Sequence, residues 1–204
     1  VEVDEVIARR RMTRSFGAEA LDENLLARIL EAARRAPSAG FAQGVDLLVL
    51  TGDEARRRFW ELGSTEEWRR HGRQAPGLMA APAIVVPVAD PGAYVARYAG
   101  AGKSRSGLAG RTASEWPVPY WTVDSAFAVM SMLLSATGAG VGALFFRIRA
   151  EPARLLRSFG APADRVLIGA VALGHPAPPP PRPAAASPRP ARRLLSEVVH
   201  RDTW

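Results

Sequence analysis

Residues 9–16 read RRRMTRSF, and the fold turns on how this stretch combines with two others, APSAGFAQG at 36–44 and ARRLLSEVVH at 191–200. Arg9, Arg10, Arg11 and Arg14 place four guanidinium groups within six residues. The segment before them, VEVDEVIA, spaces Val3, Val6 and Ile7 as a short helix does. Fixed cations at the end of a helix suit a phosphate, because the guanidinium fork matches phosphate oxygens in pairs and a helix C-terminus tolerates positive charge. The competing reading is a solvated basic turn.

Outward from this stretch, composition narrows the choices. The chain has 204 residues, 48% of them hydrophobic and 23% charged, the balance of one globular domain with a sizeable core. It has no cysteine, so a disulfide scaffold, a thiol nucleophile and cysteine-bound zinc or iron–sulfur centres are excluded; this fits the cytoplasm. His71, His175 and His200 lie too far apart for a metal-ligand pattern, so no metal is expected. The formal charge of +7 comes mostly from arginines spread over helix faces, without the interleaved aromatics of a nucleic-acid module. The acidic start (Glu2, Asp4, Glu5) is unlike a signal peptide. Ala126–Phe146 carries no formal charge over 21 residues, but Gly138, Gly140 and Gly142 divide it, predicting a buried helix followed by a strand and no membrane span.

Along the chain, 21–35 has the apolar stripe of an amphipathic helix, with Asp22 as its N-cap. VDLLVLT at 45–51 predicts a central strand, and Asp53 is expected to cap a helix that turns Phe59, Trp60 and Leu62 inward. Residues 64–80 read as a polar connection. AIVVPVA at 83–89 is a second strand, which Pro87 assigns to an edge or a bulge. Residues 90–121 are irregular and rich in aromatics and cations, suiting either a lid over a site or a mobile loop. Asp124 is read as the cap of a buried helix, with a general acid as the rival role. Leu144–Ile148 and Arg165–Leu173 are read as further strands, with a helix at 151–160 between them. A proline-rich arm follows at 176–190, then a docking segment at 191–204 that must seat Leu194, Leu195, Val198 and Val199 at a distance.

Taken together, RRMTRSF at 10–16, PSAGFAQ at 37–43, Asp124 with its apolar helix and GAGVGALFF, and RRLLSEVVH near the C-terminus resemble, in order, the motifs of the nitroreductase-like flavoproteins. The resemblance covers nearly the whole chain. It implies a single α+β domain with a central mixed β-sheet flanked by helices, and a homodimer whose C-terminal arms wrap the partner subunit. It also implies FMN at the subunit interface, with NADH or NADPH as reductant. Residue by residue, Arg10, Arg11, Met12 and Arg14 match the N-terminal phosphate and ribityl contacts, and Arg192 and Arg193 the C-terminal cation that closes on the same phosphate. Pro37, Ser38, Ala39, Phe41 and Gln43 match the turn laid against the ring by the second subunit. Phe145, Phe146 and Arg147 fall where a backbone N–H reaches the flavin. No side chain is expected to act as a catalytic group, since the ring carries the chemistry.

Departures matter as much. Met12 stands where the family has a serine, Phe41 replaces an asparagine, and Gly44-Val45 replaces Pro-Trp. Exchanging an amide for a phenyl ring removes directional hydrogen bonds and adds a stacking surface, so the flavin could be held differently, or F420 could use part of the site. Phe41 is a candidate to stack on ring or substrate, with a core role as its rival. Trp116, Tyr120 and Trp121 are candidates for the substrate pocket, with a dimer interface as theirs. Lys103 and Arg105 could receive a nicotinamide phosphate or stay solvated. The activity implied is reduction of a small aromatic or electron-poor molecule by a reduced nicotinamide through FMN. The alternatives are a specialised biosynthetic flavin dehydrogenase, an F420-linked reductase, and a non-catalytic flavin-binding protein.

Overall fold

Helix α1 (Val3–Arg9) carries Asp4 and Glu5 in its first turn and Arg9 in its last, the charge order that complements a helix dipole. The protein is seen here in a computed structural model that describes residues 2–100, 102–149, 151–178 and 190–204. Most of the proline-rich arm expected at 176–190 therefore lies outside the described residues. Helix α2 (Glu23–Arg34) begins as expected, with the Asp22 carboxylate accepting from Leu25 N at 2.9 Å.

Among the described residues five strands form one sheet: β1 (Val45–Leu50), β2 (Ala83–Ala89), β3 (Gly142–Phe146), β4 (Val166–Leu167) and β5 (Ala170–Gly174). Their order is β1-β2-β5-β3, with β4 also pairing with β2, and all these pairs are antiparallel. A parallel bridge between Met12 and Ala143 makes the sheet mixed and ties the N-terminal segment to β3.

The remaining helices are α3 (Asp53–Gly63), α4 (Glu66–His71), α5 (Ala75–Met79), α6 (Pro91–Ala99), α7 (Tyr120–Gly138) and α8 (Pro152–Ser158). Alternation along β2 divides the core in two. Ile84, Val86 and Val88 face Phe59, Trp60, Leu155 and Leu156 of α3 and α8. Ala83 and Val85 face Ile29 of α2 and Val129, Met132 and Leu133 of α7. Every residue of β2 is buried because helices cover both sides. Among the described residues, no helix is long and apolar enough to cross a membrane; α7 ends at Gly138, where Gly140 takes φ +74° and Val141 N bonds back to Ala136 O.

Several expectations are corrected. Strand β1 is at the edge of the sheet and β2 is interior, the reverse of the sequence reading. Pro87 is tolerated inside because pairing with β5 stops at Val85 and pairing with β4 starts at Val88, so its missing N–H falls in the break. Residues 165–173 form two strands, broken at Gly169 (φ +155°), and the third strand starts at Gly142 and ends at Phe146. Gly52, and not Asp53, is the N-cap of α3. The supposed connection at 64–80 contains α4 and α5, and α6 lies within the stretch read as irregular. Helix α7 begins four residues before Asp124, which therefore sits inside the helix and caps nothing.

At Gly169 a Cβ would lie 2.5 Å from the Phe146 carbonyl oxygen and 2.7 Å from the Phe145 ring, in a backbone region that side chains rarely adopt. Gly169→Ala should therefore destabilise the fold by about 1–3 kcal/mol, read as a lower urea midpoint. An unchanged midpoint would mean that the end of β3 is not pinned by this approach.

Candidate functional site

Two clefts collect Arg14, Phe145, Phe146 and Arg147 in one and Pro37, Ser38, Phe41 and Gln43 in the other. The first is lined by Arg14, Arg147 and Arg149, with Gln74 and Ser64, over Trp60, Trp68, Leu144, Phe145 and Phe146. Its floor is a three-ring stack. Trp60 lies 5.6 Å from Trp68 at 27° and 5.4 Å from Phe146 at 15°. Arg69 fixes the corner beside it, its Nη1 donating to Trp60 O at 3.1 Å and Ser64 O at 2.7 Å. Three guanidinium groups and no carboxylate line this cleft, which makes it attractive to an anion.

Of the N-terminal stretch, Arg14 lines this cleft. Arg10 caps α1, and its Nη1 is buried with no hydrogen-bond partner, an arrangement that favours an anionic ligand. Arg14 Nη1 donates to Met12 O at 3.1 Å. Met12 packs against both halves of the core, so a side chain with no hydroxyl here serves the interior. Arg11 is exposed.

The second cleft is lined by Pro37, Ser38, Phe41 and Gln43 with Arg34, Arg35 and Asp124. Its turn is backbone-strained at Phe41 and Gln43, with φ of 56° and 51°, while Gly40 takes φ 61°, which glycine adopts freely. A left-handed conformation costs a non-glycine residue about 1–2 kcal/mol, so something must hold it. Asp124 does so from α7. One carboxylate oxygen, Oδ2, accepts from Ala39 N at 2.8 Å and from the Tyr94 hydroxyl at 2.7 Å. Ser38 Oγ accepts from Gln43 N at 2.8 Å. Arg97 Nε donates to Gly40 O at 2.6 Å. The Tyr98 ring lies so close that a Cβ on Gly40 would meet it at 2.8 Å. Held this way, Phe41 stands 71% exposed. Beside it, Arg34 and Arg35 grip Glu31, and these hydrogen bonds lower its pKa to about 2.

The other candidates are placed as follows. Trp116 is buried among Tyr98, Tyr120 and Trp121, with ring centroids 5.1, 6.0 and 5.8 Å away. It therefore packs as the centre of an aromatic cluster and is not an open wall. Arg192 and Arg193 lie on the exposed C-terminal segment, and neither lines either cleft. Lys103 sits 5.1 Å from the Tyr98 ring centroid. Sequence reasoning missed Tyr94, Arg97 and the true position of Asp124. A lone carboxylate on a helix apolar on nearly every side was the available signal, since a buried charge must find donors.

The sequence profile described as the nitroreductase family matches residues 7–175, well over half the chain. The protein belongs to the nitroreductase family. A relative from Archaeoglobus fulgidus, provisionally named an NADH dehydrogenase/NAD(P)H nitroreductase, is 26% identical over 174 residues, 84% of this chain and 83% of its own. Among solved structures, a provisionally named nitroreductase from Desulfovibrio desulfuricans in complex with FMN is 23% identical, with a TM-score of 0.69 over 100% of this chain and 98% of its own. A nitroreductase family protein from Clostridium difficile is 19% identical, with a TM-score of 0.70 over 100% and 99%. The nitroreductase fold is thus shared along the full described chain.

Burial, and then the bond to Asp124, push the Tyr94 phenol well above its ordinary value of 10.0. The folded state therefore keeps the neutral phenol after the unfolded chain has begun to ionise. This stabilisation is complete below the ordinary value and is lost as pH rises beyond it. In urea titrations at pH 9 to 12, Tyr94→Phe should show a shallower alkaline loss of stability than the parent protein. Equal slopes would mean that Tyr94 ionises freely when folded.

Proposed function

We propose that this nitroreductase is a homodimeric FMN enzyme in which a reduced nicotinamide, NADH or NADPH, reduces a small aromatic or electron-poor substrate. The observation that carries this reading is the carboxylate-free cleft lined by Arg14, Arg147 and Arg149, and the buried, unpartnered Nη1 of Arg10 on the same N-terminal stretch adds to it. The residues present fit a flavin phosphate. Arg10 and Arg14 would hold it, and Arg192 and Arg193 would close on it from the C-terminal segment. The end of β3, Phe145–Arg147, would lie along the ring. The turn from Pro37 to Gln43, contributed by the other protomer, would shelter the ring, with Phe41 offering a flat apolar surface to a planar substrate.

When bound, FMN supplies hydride and electron transfer at its isoalloxazine ring. The protein's share is to fix the phosphate by charge, orient the ring between protomers and exclude water from the reacting face. Trp121 and Tyr120, at the start of α7, would border the substrate side.

Dimerisation is supported by apolar surface on the outside of one protomer. Val3 and Ile7 of α1, which packs on α7, are 69% and 50% exposed, and Phe127 and Met130 of α7 are 45% and 43% exposed. Leu194, Leu195, Val198 and Val199 of the C-terminal segment are also exposed. A second copy would cover these surfaces.

Anaerobic mixing of the purified protein with FMN and then NADH or NADPH should bleach the flavin; bound flavin that neither nicotinamide bleaches would overturn the reductant assignment. Arg10→Ala and Arg14→Ala should each weaken FMN binding by about 1.5–3 kcal/mol, roughly ten- to a hundredfold in Kd by titration. Phe127→Glu combined with Met130→Glu should yield monomers in sedimentation and protein poor in flavin. A dimeric double variant would place the interface elsewhere.

A further inference from the structure

We propose that Asp124 is the positioning residue for the turn that faces the flavin, acting through Ala39 and Tyr94 without any role as a proton donor. The proposal rests on the flavin reading above for what the turn faces, and on this structure for how the turn is held.

Asp124 is only 4% exposed. Its Oδ2 receives two donors distant in sequence, the Ala39 amide and the Tyr94 hydroxyl, at 2.8 and 2.7 Å. Through these, α7 grips both the turn and the helix α6 that braces it. The brace continues through the Arg97 bond to the Gly40 carbonyl and the close approach of Tyr98 to Gly40. Three left-handed residues in four would not hold themselves; each contact supplies restraint at a different point.

Packing alone does not account for a carboxylate here. At a buried helix position, a leucine would fill similar space without a desolvation penalty. What the carboxylate adds is an acceptor aimed at one amide and one phenol, which fixes the height of residues 38–43 relative to α6. Displacements on the order of 1 Å at such a surface are enough to change reactivity roughly a hundredfold. Both hydrogen bonds end on the same oxygen, so an amide oxygen in that place would serve, and the charge itself is dispensable.

The test compares Asp124→Asn, Asp124→Leu and Tyr94→Phe in the full chain, reconstituted with FMN. Readouts are kcat and KM separately, the visible circular dichroism of the flavin, and hydrogen exchange at the Phe41 and Gln43 amides. The Asn variant should stay close to the parent in all of them. The Leu variant should lose about tenfold or more in kcat, alter the flavin band and exchange faster at both amides, with Tyr94→Phe intermediate. A Leu variant equal to the parent, or an Asn variant as impaired as Leu, would overturn the proposal. If the Leu variant does not fold, Tyr94→Phe decides, because it keeps the ring and removes one bond; parental exchange rates and flavin band in that variant would overturn it. A parent protein that refuses FMN would defeat the flavin reading instead, and the exchange rates, which need no cofactor, would still decide the positioning claim.

Discussion

A single carboxylate oxygen inside helix α7 anchors the exposed turn at residues 38–43. Asp124 Oδ2 joins three pieces of chain that are far apart in sequence: the turn after α2, the helix α6 and the long helix α7 itself. The turn it holds has a backbone that would not persist alone, and the exposed Phe41 ring takes its direction from that backbone. Burying a charge is unfavourable unless donors meet it. Here two donors do, and the outcome is a rigid surface where a loop would otherwise wander.

The arginine cleft is built differently. Its floor is hydrophobic, the stack of Trp68, Trp60 and Phe146 laid over the core, and its rim is cationic with no counter-charge among its lining residues. One site is thus specified by a buried hydrogen-bond acceptor and the other by unneutralised surface charge over aromatic rings. Within one protomer they are separate clefts. They have no lining residue in common.

The sequence made some of this legible and hid the rest for definite reasons. Helix α2 was readable because its apolar stripe is strong and Asp22 sits at the right distance to cap it. The family and the α+β class were readable because four short motifs occur in order. Helices α4, α5 and α6 escaped because they are short, and α4 is so polar that tertiary contact, not periodicity, fixes it. The exchange of edge and centre between β1 and β2 escaped because both are apolar, and only the partners of Pro87 reveal how a proline can sit inside. Asp124 was misread because the aromatic residues that start α7 carry no capping signal, whereas an aspartate four residues later does.

Phe41 has one last implication. A phenylalanine held at positive φ and largely open to water is poorly matched to its place on two counts, backbone and solvent. Glycine or asparagine would sit there with less strain, so a laboratory selection for heat tolerance alone would be drawn to this position. Whatever such a lineage gained in melting temperature, it would surrender the aromatic face that this position presents.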